Sequence, residues 1–260
     1  KVITKSENKM FNGIQGVYSH DSETCNCEMN FGLFLPKIST TRKVPILWYL
    51  SGLTCTHENA MTKSGAQQWA EANGIAIVFP DTSPRGQDVC DDEAFDLGQG
   101  AGFYIDSQKE PWKRNFQMES YIRDELPEVL VRNFSIDRNK QGITGHSMGG
   151  LGALNLALKN PKTFLSASAF SPISNPIKSD WGKKQFKAYL GDDKSKWEEY
   201  DPSILFARLG FKNKILIDQG SEDNFIELLN PSSLSDQINQ DKHLGSFRYQ
   251  DGYDHSYYFV

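Results

Sequence analysis

The sequence predicts an α/β fold, with a mostly parallel central sheet and helices on both faces. Three observations carry that expectation. Short apolar runs alternate with segments of helical spacing, one of those runs enters a sharp glycine turn that opens a helix, and no Pro- or Ser-rich linker divides the 260 residues. Met29 to Leu35 alternates as a strand does. Val44 to Leu50 is a buried run ending in Ser51-Gly52, and Ile75 to Phe79 is another before Pro80-Asp81. Lys63 to Asn73 and Asn115 to Arg132 repeat their apolar residues at helical spacing. Arg138-Asn139 then reads as a turn, Gln141 to Thr144 as a buried strand and Leu151 to Leu158 as a helix. Ala167 to Phe170 and Lys214 to Asp218 supply two more strands, Ser232 to Gln240 a helix, and Phe247 to Tyr249 a closing strand. Residues 81–112 break this regularity with a long Gly/Asp/Pro-rich excursion of the kind that carries function. A single domain spanning 1–260 is expected, because 38% hydrophobic residues suffice for one large core.

Charge and composition remove several function classes. A net charge of −5 without a basic stripe makes nucleic acid and anionic membranes unexpected partners. No apolar stretch approaches the ~20 residues needed to cross a bilayer. Lys1 begins a polar segment with no apolar signal region. Four cysteines are too few for a disulfide scaffold, which points to a cytoplasmic protein; Cys25 and Cys27 would share a face if their segment is a strand. The five histidines, His20, His57, His146, His243 and His255, form no His-x-x-x-His or Glu-x-x-His pair, so neither metal nor cofactor is expected.

The chemistry is concentrated at Gly145-His146-Ser147-Met148-Gly149, a G-x-S-x-G string between a strand and a helix. That arrangement is a nucleophile elbow. A Cβ at either glycine would collide with the strand or the new helix, and the turn leaves the Ser147 hydroxyl exposed at its apex. The next amide, that of Met148, opens a helix, where partial positive charge collects. Nucleophile and oxyanion donor thus come from one local structure.

In α/β-hydrolases the partners follow in the order Ser, Asp or Glu, His. His255 sits in Gly252-Tyr253-Asp254-His255-Ser256, a loop near the C-terminus, and is the candidate base. His243 competes but lies at a charged helix end, and His146 is set aside because neighbouring residues on an elbow point apart. For the acid, Asp223 lies in the loop leaving the strand Lys214 to Asp218; catalytic groups of open α/β sheets gather at such ends. Glu222 is the runner-up. The carboxylate would hold the imidazole tautomer while His255 takes the Ser147 proton. A second oxyanion donor is expected from Leu50-Ser51-Gly52-Leu53-Thr54-Cys55-Thr56, where Gly52 lets the backbone turn the Leu53 amide inward.

That string, together with Pro80-Asp81-Thr82-Ser83-Pro84-Arg85-Gly86, Gly98-Gln99-Gly100-Ala101-Gly102-Phe103-Tyr104, the elbow and Tyr253-Asp254-His255-Ser256-Tyr257-Tyr258, resembles the S-formylglutathione hydrolase (esterase D) family over essentially the full length. The resemblance implies an α/β-hydrolase fold, a triad of Ser147, Asp223 and His255, an oxyanion hole from Leu53 and Met148, a cytosolic homodimer acting on a glutathione thioester, and a role in formaldehyde detoxification. It also implies a final helix beyond Val260 and a thiol, Cys55, whose modification inhibits. His57 and Ala60-Met61 depart from the family pattern, which more often has an acidic residue and an apolar pair there. Gly52, Cys55, Trp112 and Trp181 are the candidates for the substrate pocket. A general short-chain carboxylesterase or an acyltransferase would use the same triad. A lipase is disfavoured by a mean hydropathy of −0.54 and the polar excursion.

Overall fold

Nine strands form one sheet in the computed structural model, which describes residues 1–240 and 245–258. They are β1 (Val2–Met10), β2 (Gly13–Ser22), β3 (Cys27–Leu35), β4 (Val44–Leu50), β5 (Ala76–Pro80), β6 (Ile136–Gly145), β7 (Phe164–Phe170), β8 (Ile215–Gly220) and β9 (Gly245–Gln250). Their spatial order is β1-β2-β3-β5-β4-β6-β7-β8-β9. The strands from β5 to β9 in that order run parallel, while β1, β2 and β3 join as an antiparallel edge.

The helices are α1 (His57–Lys63), α2 (Ala66–Asn73), α3 (Met118–Ser120), α4 (Leu126–Asn133), α5 (Met148–Lys159), α6 (Asp180–Leu190), α7 (Lys194–Glu198), α8 (Pro202–Leu209), α9 (Ile226–Leu229) and α10 (Ser232–Gln240). Three expectations change here. The single helix 63–73 is two, because Ser64-Gly65 ends α1 and Gly65 sits at φ 63°, outside the helical region. The helix expected from Asn115 starts at Met118 and passes through a π-helical stretch, Tyr121–Glu125, into α4. Arg138-Asn139 makes no separate turn either. Both residues stay within β6, where the pairing with β4 jumps between Val44↔Ile136 and Ile46↔Gln141 and absorbs the extra residues as an irregularity.

The crossing order places the site. From β4 the chain goes through α1 and α2 to β5 on one side, then returns through residues 81–112, α3 and α4 to β6 on the other. The ends of β4 and β6 are therefore neighbours, with Leu50 paired to Gly145, and the connections leaving them diverge. Such a reversal opens a crevice at the carboxyl ends of the strands. Helix α5 runs back beneath it, buried from Met148 to Leu158, and anchors the main core with Trp48, Ile143, Phe164 and Ile217. A second cluster, Phe34, Tyr49, Ala60, Ala70, Ile77 and Phe79, lies under α1 and α2.

Candidate active site

Ser147 lies two residues past the end of β6 and caps α5 at φ 57° and ψ −118°, a backbone conformation rare for any residue with a side chain. The strain is imposed by close packing. A Cβ on Gly149 would lie 1.9 Å from the Leu50 carbonyl oxygen, and one on Gly145 would lie 2.1 Å from that of Gly149. Backbone occupies both places, so no rotamer change relieves the clash. Gly149→Ala should cost more than about 4 kcal/mol or prevent folding. Urea melts check this: a soluble variant with a near-parental midpoint would show that β4 and the elbow can separate at little cost.

Asp223 and His255 are brought together from loops after β8 and β9. His255 Nδ1 lies 2.7 Å from Asp223 Oδ2. The other interactions of the carboxylate fix it in place: Oδ1 accepts the Phe225 N–H at 2.8 Å, and Oδ2 also accepts Gln219 Nε2 at 3.0 Å. Burial by itself would raise the Asp223 pKa, but the hydrogen bond and charge of His255 and the Phe225 amide outweigh it and hold the carboxyl below its ordinary value. An ionised Asp223 only accepts, so Nδ1 carries the proton and Nε2 is left as the acceptor. Glu222 is not part of this pair; its amide donates to the Tyr253 carbonyl instead. His243, the competing base, lies outside the described residues.

The loop after β4 is clamped by the excursion. The Thr54 amide donates to Gly100 O at 2.9 Å and the Cys55 amide to Gly52 O at 3.3 Å. Arg85 donates from Nη2 to Cys55 O at 2.8 Å while its Nε holds Asp81, and Tyr104 donates its hydroxyl proton to Ser51 O at 2.8 Å. Leu53 lines the crevice, and among the described residues neither its amide nor that of Met148 enters a backbone hydrogen bond.

A cleft of 250 Å³ is lined by Gly52, Leu53, Thr54, Cys55, Phe95, His146, Ser147, Trp181, Phe225, His255 and Tyr257. It gathers Ser147, His255, Leu53 and three of the four pocket candidates. Trp112 is the exception and is corrected here. Its ring packs edge-on against Phe116 and Tyr189 at 5.2 and 5.3 Å, because the 3-10 turn Trp112–Arg114 faces the core and not the crevice. Phe95, Phe225 and Tyr257 were not singled out from sequence, although Tyr257 lies two residues past His255 and Phe95 falls within the excursion. His146 also lines the cleft: its ring packs at 4.7 Å from that of His255 and 4.9 Å from that of Tyr257. Cys55 is a free thiol whose pKa burial pushes up, against the opposing pull of the Tyr257 hydroxyl and of Lys63. Among the described residues no group of three or more His, Cys, Asp or Glu is placed to hold a metal ion.

The Esterase family model matches residues 22–259. The S-formylglutathione hydrolase of Paracoccus denitrificans is 56% identical over 257 residues, which cover 99% of this chain and 92% of the relative. The chain belongs to the S-formylglutathione hydrolase family of esterases. The Mus musculus member of the family is 47% identical across 98% of this chain and 92% of its own length. The solved structure of an S-formylglutathione hydrolase from Agrobacterium tumefaciens superimposes with a TM-score of 0.95 at 45% identity, over 98% of this chain and 93% of that one. The α/β-hydrolase fold expected for this family is the fold observed. No helix among the described residues is long and apolar enough to cross a membrane.

Proposed function

We propose that this protein is a serine thioesterase that hydrolyses S-formylglutathione to glutathione and formate in formaldehyde detoxification, with side activity on short-chain esters. The observation that carries the proposal is the 2.7 Å contact between His255 Nδ1 and Asp223 Oδ2, in a chain where His255 and the backbone-strained Ser147 line one cleft. In the first half-reaction Ser147 Oγ attacks the formyl carbon as His255 Nε2 takes its proton. The oxyanion that forms is held by the amides of Leu53 and Met148, two donors worth several kcal/mol together. The C–S bond then breaks, His255 returns the proton to the glutathione sulfur, and a formyl ester remains on Ser147. Water attacks that ester in the second half-reaction, with His255 again as base, and formate leaves as Ser147 regains its proton. Asp223 keeps the imidazole oriented and stabilises its charged form throughout.

Cys55 is a bystander in this scheme. Its raised pKa keeps it a thiol near neutral pH, and thiolate is the nucleophilic form. No cofactor enters any step. A cytoplasmic location belongs to the proposal through the cysteine usage and the motif resemblance, and a homodimer through the resemblance alone.

The test is kcat/KM for S-formylglutathione beside a chain-length series of p-nitrophenyl esters at fixed pH. Formyl and acetyl groups need no acyl tunnel, and each methylene that clashes costs about 1 kcal/mol or more, so rates should fall steeply from acetate to butyrate and beyond. The glutathione thioester should exceed p-nitrophenyl acetate, because the peptide adds binding energy away from the reacting carbon. A maximum at octanoate or longer, or no thioester advantage, would replace the proposed substrate with a general ester and leave the serine chemistry standing.

A further inference from the structure

We infer that Phe95 determines selectivity for the thiol side of the substrate, and that the ion pair between buried Asp96 and exposed Lys184 is the positioning device that holds it at the cleft; this rests on the thioesterase reading above. Phe95 is a large apolar side chain left 68% exposed, yet it lines the same cleft as Ser147 and His255. The next residue does the opposite, since Asp96 is only 4% exposed. The Leu97 amide donates to Ala94 O at 3.1 Å, closing a tight turn with Phe95 and Asp96 as its two central residues. Lys184 Nζ lies 2.6 Å from Asp96 Oδ1, and Gln185 Nε2 donates to Asp96 Oδ2 at 3.3 Å. Both partners belong to α6, one turn beyond Trp181. Asp96 therefore ties the loop carrying one cleft aromatic to the helix carrying another.

The wall continues across the cleft. Trp181 stacks on Phe225 with centroids 6.4 Å apart and planes at 26°, and Phe225 meets the His255 ring edge-on at 5.0 Å. A formyl group attached to Ser147 ends at its own carbonyl and extends to no side chain at the mouth. Whatever meets an exposed ring there comes from the leaving group. A tripeptide thiol offers flat amides and a methylene-rich γ-glutamyl arm, both suited to an aromatic face. A buried carboxylate retained for one lysine and one glutamine is a weak source of stability, but it fixes the register of two elements.

The experiment compares S-formylglutathione with the formyl thioester of 2-mercaptoethanol, which has the same acyl group and almost no leaving-group surface. Phe95→Ala is at an exposed position and should fold. For the glutathione thioester it should lower kcat/KM on the order of 10-fold through KM, with kcat held within about two-fold, and it should leave the mercaptoethanol thioester unchanged. Phe95→Tyr should restore the parental KM. Lys184→Met should move KM in the same direction as Phe95→Ala, and Lys184→Arg should recover it. Equal losses on both thioesters, or no loss on either, would overturn the inference. A parent without any preference for the glutathione thioester would sink the thioesterase reading and this inference together. A parental preference that survives Phe95→Ala would sink the inference alone.

Discussion

Ser147→Ala is expected to lower kcat/KM for S-formylglutathione by about 10³-fold or more while the protein stays folded, since the elbow glycines and α5 are untouched. The proposed nucleophile is lost entirely, and the remaining catalysis would come from the oxyanion amides and substrate binding. His255→Ala should be comparably damaging, because one imidazole serves as base and acid in both half-reactions. The double variant should be little worse than either single one, as expected for groups that act as a unit. Asp223→Asn should cost less than removal of the nucleophile. Steady-state kinetics with thermal melts as the folding control decide the matter. A near-parental rate in purified Ser147→Ala would sink the mechanism, and a larger loss in Glu222→Gln than in Asp223→Asn would move the acid by one residue.

The second large effect is acid lability set by His146. Its side chain is 4% exposed, and neither ring nitrogen has a well-formed hydrogen bond among the described residues. Burial first, and then the neighbouring His255 charge, push its pKa down to about 3, with Asp223 pulling the other way. An unfolded chain takes up this proton near the ordinary histidine value of about 6.5. Between those two values the unfolded state binds more protons than the native one, so stability is lost as pH falls through that window and levels off below about 3. From pH 7.5 to 4.5 this single group should remove about 3 kcal/mol, at 1.36 kcal/mol per unit below 6.5. Asp223 acts in the same direction lower down. Its depressed carboxyl contributes stability that is present above the unfolded value and lost as pH falls through the native one. His146→Phe replaces a ring with a ring that cannot titrate. Urea melts at the two pH values should show most of that difference disappearing, and an unchanged difference would assign the lability to other groups.

Sequence reading works where one physical rule dominates. The Val44 to Leu50 and Lys214 to Asp218 strands are apolar because both faces of a parallel sheet are covered, and the elbow is written in glycines that only a sharp turn needs. Strand β1 left no such trace. Its residues between Ile3 and Lys9 are all exposed, so Lys5, Glu7 and Lys9 alternate with other polar residues and no apolar face appears. Strand β2 is hidden for the opposite reason: His20 and Ser22 are buried but bonded to Tyr121 and Glu125, about a hundred residues away. His146 and Trp112 fail on the same ground. The direction in which a ring points depends on packing across the fold, and neither residue's neighbours in sequence encode it.

Among the fastenings of the excursion 81–112, two bear directly on the cleft. Asp81, Arg85, Gly100 and Tyr104 grip the loop that carries the Leu53 amide, whereas Asp96 grips α6 through Lys184. The segment between those grips can therefore vary in composition while the amide-bearing loop keeps its shape. In evolutionary terms the molecule separates a part that must stay constant, because any acyl transfer needs it, from a part free to drift as the preferred thiol or alcohol changes. Divergence of substrate choice within such a scaffold would accumulate in the turn around Phe95 long before it reached the strand ends.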